Sequence, residues 1–110
     1  MTYISGFKAV WLLCMFDLPV RTKKQRKTAG KFRKLLIEDG YWMLQFSVYG
    51  RPCASDDHAA VHLGRLQLSI PKEGQVRVLK ITDKQYQRML VYYGKKKKSA
   101  ESIPGQLELF

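Results

Sequence analysis

The chain has 110 residues, 20 Lys and Arg against 9 Asp and Glu, a formal net charge of +11 and 45% hydrophobic residues. That length and hydrophobic content fit one globular domain and exclude a disordered chain, while two cysteines exclude a disulfide-stapled scaffold. The charge excess favours a polyanionic partner through counterion release, with nucleic acid ahead of an acidic membrane surface.

The first element is an apolar run, Ala9 to Phe16, with the length of a fully buried strand. Asp17 falls where that strand emerges, and Pro19 stops the ladder because it has no N–H to donate. The run follows Lys8 as the core of a signal peptide would, but Asp17 and Pro19 stand in place of a small-residue cleavage site. It is also far short of the roughly 20 apolar residues of a membrane span. The reading is a cytoplasmic protein without a membrane association, its cysteines being buried free thiols.

Thr22 and Gly40 bracket a helix from Lys23 to Asp39 as N-cap and C′ residue. Thr28, Ala29, Phe32, Leu35 and Leu36 form its apolar face, and Lys23, Lys27, Lys31 and Lys34 recur on the opposite side. Tyr41 to Arg51 alternates and reads as one strand that Pro52 breaks. Ser55 caps a second helix running to about Ser69, with Ala59, Leu63, Leu66 and Ile70 facing inward. Gln75 to Ile81 is a third strand, Thr82 caps a helical turn from Asp83 to Arg88, and Met89 to Gly94 is a fourth strand. Lys95 to Ser102 reads as solvated linker before a terminal Gln106-Leu107-Glu108-Leu109-Phe110. The expected division is therefore a domain over 1–94 and a basic linker with a terminal strand or docking segment over 95–110.

This order predicts an α+β, ferredoxin-like βαββαβ-type fold: an antiparallel sheet with two helices on one face and an extra C-terminal strand. The second sheet face should be polar, yet the first strand is apolar on both faces, with Leu12, Cys14 and Phe16 on one and Trp11, Leu13 and Met15 on the other. A second copy of the chain is the expected cover, giving a homodimer through the sheet.

Asp17 has two readings: a metal-coordinating carboxylate near the dimer axis, suited to Mg²⁺ and phosphodiester chemistry, or a strand-end cap of local N–H groups. The cations behind it, Arg21, Lys23, Lys24, Arg26, Lys27, Lys31, Arg33 and Lys34, run with almost no acid before Glu38. They suit a phosphate backbone, and without interleaved aromatics they suit a duplex better than stacked single-stranded bases. His58 and His62 have the i, i+4 spacing of a zinc pair but lack a third ligand, and are read as ordinary surface residues. No Gly-rich phosphate loop or nucleophile elbow is present. The terminal Gln-Leu-Glu-Leu-Phe resembles peptides that dock on the bacterial sliding clamp, although an edge strand pairing in the dimer is the preferred reading.

Phe16-Asp17-Leu18-Pro19-Val20, the basic Lys23 to Lys27, Phe32-Arg33-Lys34 and the run from Gly40 to Arg51 resemble one family, the CRISPR-associated protein Cas-two (Cas2), in the form found in Cas-nine-containing loci. The resemblance implies a ferredoxin-like homodimer that bridges dimers of the Cas-one integrase, binds double-stranded DNA and serves spacer acquisition in antiviral defence. It also implies metal-dependent endonuclease activity on RNA or DNA, with Asp17 as catalytic and metal residue and one Mg²⁺ shared across the dimer axis. Nucleic-acid contacts are expected from Arg21, Lys23, Lys24, Arg26, Lys27, Lys31, Lys34 and Arg51. The alternative is a toxin-like endoribonuclease on the same fold.

Overall fold

The computed structural model describes residues 9–101. Its elements are β1 (Val10–Asp17), α1 (Lys23–Glu38), β2 (Trp42–Gln45), β3 (Val48–Cys53), α2 (Asp56–Gln67), β4 (Gln75–Thr82), α3 (Asp83–Gln87), β5 (Val91–Tyr93) and β6 (Lys96–Lys98). Strands β1 to β4 form one sheet in the order β2-β3-β1-β4, antiparallel at every junction. With α1 and α2 as the crossovers, this is the ferredoxin-like topology that the order of elements predicts. Among the described residues no helix is long and apolar enough to cross a membrane.

β1 lies between β3 and β4, so its side chains divide cleanly between two layers. Val10, Leu12, Cys14 and Phe16 join Phe32 and Leu36 of α1, Tyr49 of β3, and Ala59 and Leu66 of α2 in one core. Phe16 meets Phe32 edge-on at 5.1 Å between centroids, a geometry in which ring edge and face attract. The buried Cys14 thiol is pushed up to about 12 by desolvation, and burial likewise raises that of Cys53. Both cysteines are free, and both behave as small apolar residues, in line with the sequence reading.

Three readings change. The run from Tyr41 to Arg51 is not one strand but a β2–β3 hairpin that turns at Phe46-Ser47. Ser47 makes the turn with φ 64°, a conformation that Gly or Asn normally advertises and Ser does not. Pro52 does not end the strand. It pairs opposite Trp11 within β3, at a level that β2, which reaches only to Gly50, no longer covers, so its missing N–H costs no ladder bond on that side. The segment read as the sheet's fourth strand instead supplies β5, which pairs with β6 in a separate two-stranded sheet. The boundary expected at Gly94 falls at the turn of this hairpin, and Lys96–Lys98 is strand rather than linker. Gln106 to Phe110 lies outside the described residues.

The second face of β1 is covered, in part, by this same chain. Tyr86 of α3 stacks on Trp11 at 3.7 Å between centroids with an interplanar angle of 7°. Trp11 Nε1 donates to Asp83 Oδ1 at 2.8 Å, and Gln87 Nε2 donates to Asp83 Oδ2 at 2.6 Å. The premise that a second copy is needed to cover Trp11 is therefore corrected. Farther along that face Leu79 remains 51% exposed and Trp42 37%.

The Asp83 contact gives a test. Asp83→Ala leaves the buried Trp11 indole N–H without an acceptor, at a cost of about 1–3 kcal/mol. Urea unfolding should show a correspondingly lower midpoint, with Asp83→Asn, which keeps an acceptor, falling between the two proteins. An unchanged midpoint in Asp83→Ala would show that the bond contributes nothing.

Candidate nucleic-acid interface and carboxylate sites

Asp17 is the last residue of β1, pairs in register with Gln75 of β4, and is exposed. Strand parity puts it on the same face as Trp11, Leu13 and Met15, away from α1 and α2. Cross-strand pairing places Gln75 and Arg77 of β4 on that face too. Among the described residues none of the ion pairs or side-chain hydrogen bonds engages its carboxylate, which removes the support for the capping reading. Gly74 fixes the backbone beside it. With φ at +92°, a Cβ there would lie 2.6 Å from the Asp17 carbonyl oxygen, so the turn into β4 closes against the strand end only with glycine.

A hard carboxylate with no other partner suits Mg²⁺, which takes one or two carboxylates and keeps several waters. One chain offers one such group here. Among the described residues no cluster of three or more His, Cys, Asp or Glu side chains is placed to hold a metal.

Behind Asp17, α1 starts in a capping box. Thr22 Oγ1 accepts from Gln25 N at 3.0 Å, while Gln25 Oε1 accepts from Thr22 N at 3.0 Å and Arg21 N at 2.9 Å. No acid of α1 itself occupies the first turn; the acid that approaches this helix end is Glu73 from the loop before β4, which accepts from Gln25 Nε2 at 3.3 Å. Arg21, Lys23, Lys24, Lys27, Lys31 and Lys34 are all exposed. Among the described residues Lys34 is the one of these in an ion pair, with Glu38 at 3.9 Å. From Lys23 to Lys34 the stripe spans roughly 16 Å along the axis.

Two of the expected contact residues are otherwise engaged. Arg26 Nη1 donates to the Val20 and Arg21 carbonyls at 3.1 and 3.0 Å, tying down the β1–α1 loop. Arg51 is half-buried, with Nε donating to Asp39 O at 3.0 Å and Nη1 to Pro52 O at 2.7 Å. It closes the C-terminus of α1 and stands apart from the lysine stripe.

The largest departure from the sequence reading concerns His58 and His62. His62 is 5% exposed, so the pair is not an ordinary surface feature. Ala54 N donates to His58 Nδ1 at 3.0 Å, which makes that nitrogen the unprotonated one. Neutral His58 therefore carries its proton on Nε2 and donates it to His62 Nε2 across 3.1 Å. His62 then donates from Nδ1 to Asp39 Oδ2 at 2.8 Å, and Arg65 Nη1 donates to Asp39 Oδ1 at 2.8 Å. Both imidazole lone pairs are used within the chain of bonds, so neither ring can ligate a metal without breaking it. The network ties α2 to the C-cap of α1. Its only sequence signal was an acid at a predicted helix end together with a histidine pair on the next helix.

Burial tends to raise the Asp39 carboxyl, but hydrogen bonds from His62 and Arg65, with their charges, outweigh it and hold the group below its ordinary 3.8. Desolvation holds His58 below 6.5, helped by the charges of Arg51, His62 and Arg65 against the opposing pull of Asp39.

The CRISPR associated protein Cas2 family model matches residues 10–89, and the chain belongs to this family. It is 46% identical over 109 residues to a CRISPR-associated endoribonuclease Cas2 from Flavobacterium psychrophilum, covering 99% of this chain and 95% of the relative. A second protein of the same name, from Parvibaculum lavamentivorans, is 50% identical over 101 residues, with 92% of this chain and 100% of the relative covered. A solved structure titled "Crystal structure of cas2" superposes with a TM-score of 0.56 at 19% identity, covering 86% of this chain and 98% of that one. That likeness supports the fold.

The histidine network predicts acid lability. His58 and Asp39 both have lowered values in the folded state, so each binds protons more readily when unfolded. The contribution of His58 is intact above its unfolded value near 6.5 and is lost as pH falls through its lower folded value, with Asp39 following below 3.8. The urea midpoint should therefore fall between about pH 7 and 5, and His58→Asn should flatten that dependence. A wild-type protein equally stable at both ends would refute the assignment.

Proposed function

We propose that this Cas2-family chain is a cytoplasmic CRISPR adaptation protein: a homodimer that holds double-stranded DNA by its phosphate backbone and joins Cas-one integrase dimers in spacer acquisition. The observation that carries the reading is the exposed cation stripe of α1, with Arg21, Lys23, Lys24, Lys27, Lys31 and Lys34 free of acids in the first turn. Exposed cations at this density meet successive phosphates and release condensed counterions, which gives affinity without sequence preference. The stripe lies on the helix layer, so packing two copies through the opposite sheet face leaves both stripes open. Leu79 and Trp42, still exposed on that face, are the surface a second copy would bury.

Endonuclease activity belongs to the same proposal. Asp17 lies on the sheet face turned toward the second copy, so the two Asp17 carboxylates would hold one Mg²⁺ with its waters. The ion would supply an activated water and stabilise charge on the phosphate. Arg77, on the same face, would attract the substrate backbone. The free carboxylate and the names of the relatives favour a second reading, a toxin-like endoribonuclease, in which RNA cleavage is the purpose and DNA binding incidental.

Titration of a short labelled duplex separates these roles. If about six phosphates are neutralised, affinity falls roughly 10³-fold between about 50 and 200 mM salt. Lys27→Ala/Lys31→Ala should lower the log–log salt slope by about 0.9 for each phosphate no longer neutralised. Affinity insensitive to salt would sink the backbone clamp.

Asp17→Ala should abolish Mg²⁺-dependent cleavage of RNA and DNA while leaving duplex affinity within about twofold. Cleavage that persists in purified Asp17→Ala protein would move the chemistry elsewhere. Efficient RNA cleavage without salt-sensitive duplex binding would favour the toxin-like reading.

A further inference from the structure

We propose that Gln106-Leu107-Glu108-Leu109-Phe110 is a docking peptide for the bacterial sliding clamp, with Leu107, Leu109 and Phe110 as apolar anchors and Gln106 as the polar contact. The segment lies outside the described residues. Its side-chain order, and the point from which the described chain delivers it, indicate the kind of surface it fits.

The described chain is held as far as Glu101. Tyr86, 1% exposed and stacked on Trp11, donates from its hydroxyl to the Glu101 carbonyl at 3.1 Å. Ser102-Ile103-Pro104-Gly105 separates that anchor from Gln106. Four residues span at most roughly 14 Å, and a Pro-Gly pair punctuates any strand that would run through them. The five residues are therefore tethered close to a fixed point, and their sequence sets them apart from the β5–β6 ladder, which ends at Lys98.

The order of side chains separates an edge strand from a peptide that fills a groove. In a strand, alternate residues share a face. Leu107 and Leu109 would then face a sheet, while Phe110 joined Gln106 and Glu108 on the wet side. An edge strand that buries the leucines thus exposes the residue with the largest apolar area in the segment. Adjacent Leu109 and Phe110 are buried together only in a concave groove whose walls reach both sides of the peptide. Gln106 adds an amide that can donate and accept at once.

Residues 99–110 contain two acids and no cation, in contrast to Lys95 to Lys98 just before them, so phosphate is not their ligand. An apolar protein groove with a polar contact at one end is. Gln, Leu, one free position, Leu and Phe is the order of the clamp-docking peptides that this segment resembles. The contact needs no DNA, so a chain whose α1 stripe failed to hold a duplex would still carry it.

The test is surface plasmon resonance of the full chain on purified, immobilised bacterial sliding clamp, without DNA. Leu109→Ala/Phe110→Ala should lose about tenfold affinity or more, whereas Glu108→Ala, at the free position, should stay within about twofold. Both variants should keep the wild-type urea midpoint. No measurable binding of the wild-type chain at about 100 μM would overturn the proposal, as would equal binding by the double variant. A lower urea midpoint in the double variant would make the segment part of the fold, and a lower mass by light scattering would make it a strand of the dimer. Either result overturns the proposal. So does lost co-purification with the Cas-one integrase while clamp affinity is unchanged, because the segment would then be an integrase dock. Loss of duplex binding in Lys27→Ala/Lys31→Ala, with clamp binding intact, counts against the duplex reading and supports the independence of this contact.

Discussion

The rest of the molecule depends on how β1 is buried. A strand that is apolar on both faces must have protein on both, and here the two covers come from opposite ends of the chain. The helices close over Val10, Leu12, Cys14 and Phe16, while α3 returns from 72 residues away to accept the Trp11 indole N–H. Asp83 is the first residue of α3, and its own N–H donates to the Ala9 carbonyl at 3.0 Å. One residue thus satisfies an indole, begins a helix and fixes the end of β4 against the start of β1. Asp17 emerges from the other end of this doubly covered strand, and its position is set by the rigidity behind it.

Charge imposes the second constraint. A helix with lysines at 23, 27, 31 and 34 on one stripe has like-charge neighbours at i+4 and i+3, each destabilising by about 0.2–0.5 kcal/mol. No acid of the helix's own first turn relieves this. The helix persists because its opposite face is packed into the core through Ala29, Phe32 and Leu36, and because the capping box and the Asp39 cluster secure its two ends. Electrostatic self-repulsion is therefore retained on the surface and borne by packing elsewhere.

Most of the architecture was legible because its signals are local. Thr22, Ser55 and Thr82 cap the three helices as their positions foretell, and the double apolarity of β1 marks it as central. The turn at Phe46-Ser47 was hidden because a serine at φ 64° leaves no trace in composition. The fourth strand was misplaced for a different reason. Short runs such as Val91–Tyr93 carry β-propensity without saying which sheet they join, and only the register shows that Lys96–Lys98 is their partner. The histidine network was hidden by distance, since Asp39 and His62 are 23 residues apart and meet only when α1 and α2 pack.

The aspartates sharpen what can be asked of Asp17. Asp83 is buried and accepts from an indole and an amide. Asp39 accepts from an imidazole and a guanidinium, and Asp56 pairs with Lys80 at 2.9 Å. Asp39 and Asp83 have both oxygens committed to holding elements together, so withdrawing either for chemistry would leave a cation or a buried donor unmatched, whereas Asp56 and its neighbour Asp57 are exposed at the start of α2. Asp17 lies at the end of a rigid strand, exposed, and the fold demands nothing of its side chain. The glycine that closes against its backbone holds the main chain there and leaves the carboxylate unencumbered. A group so placed can be removed with little loss of stability, and that is the condition under which an Asp17→Ala phenotype reads as chemistry rather than misfolding.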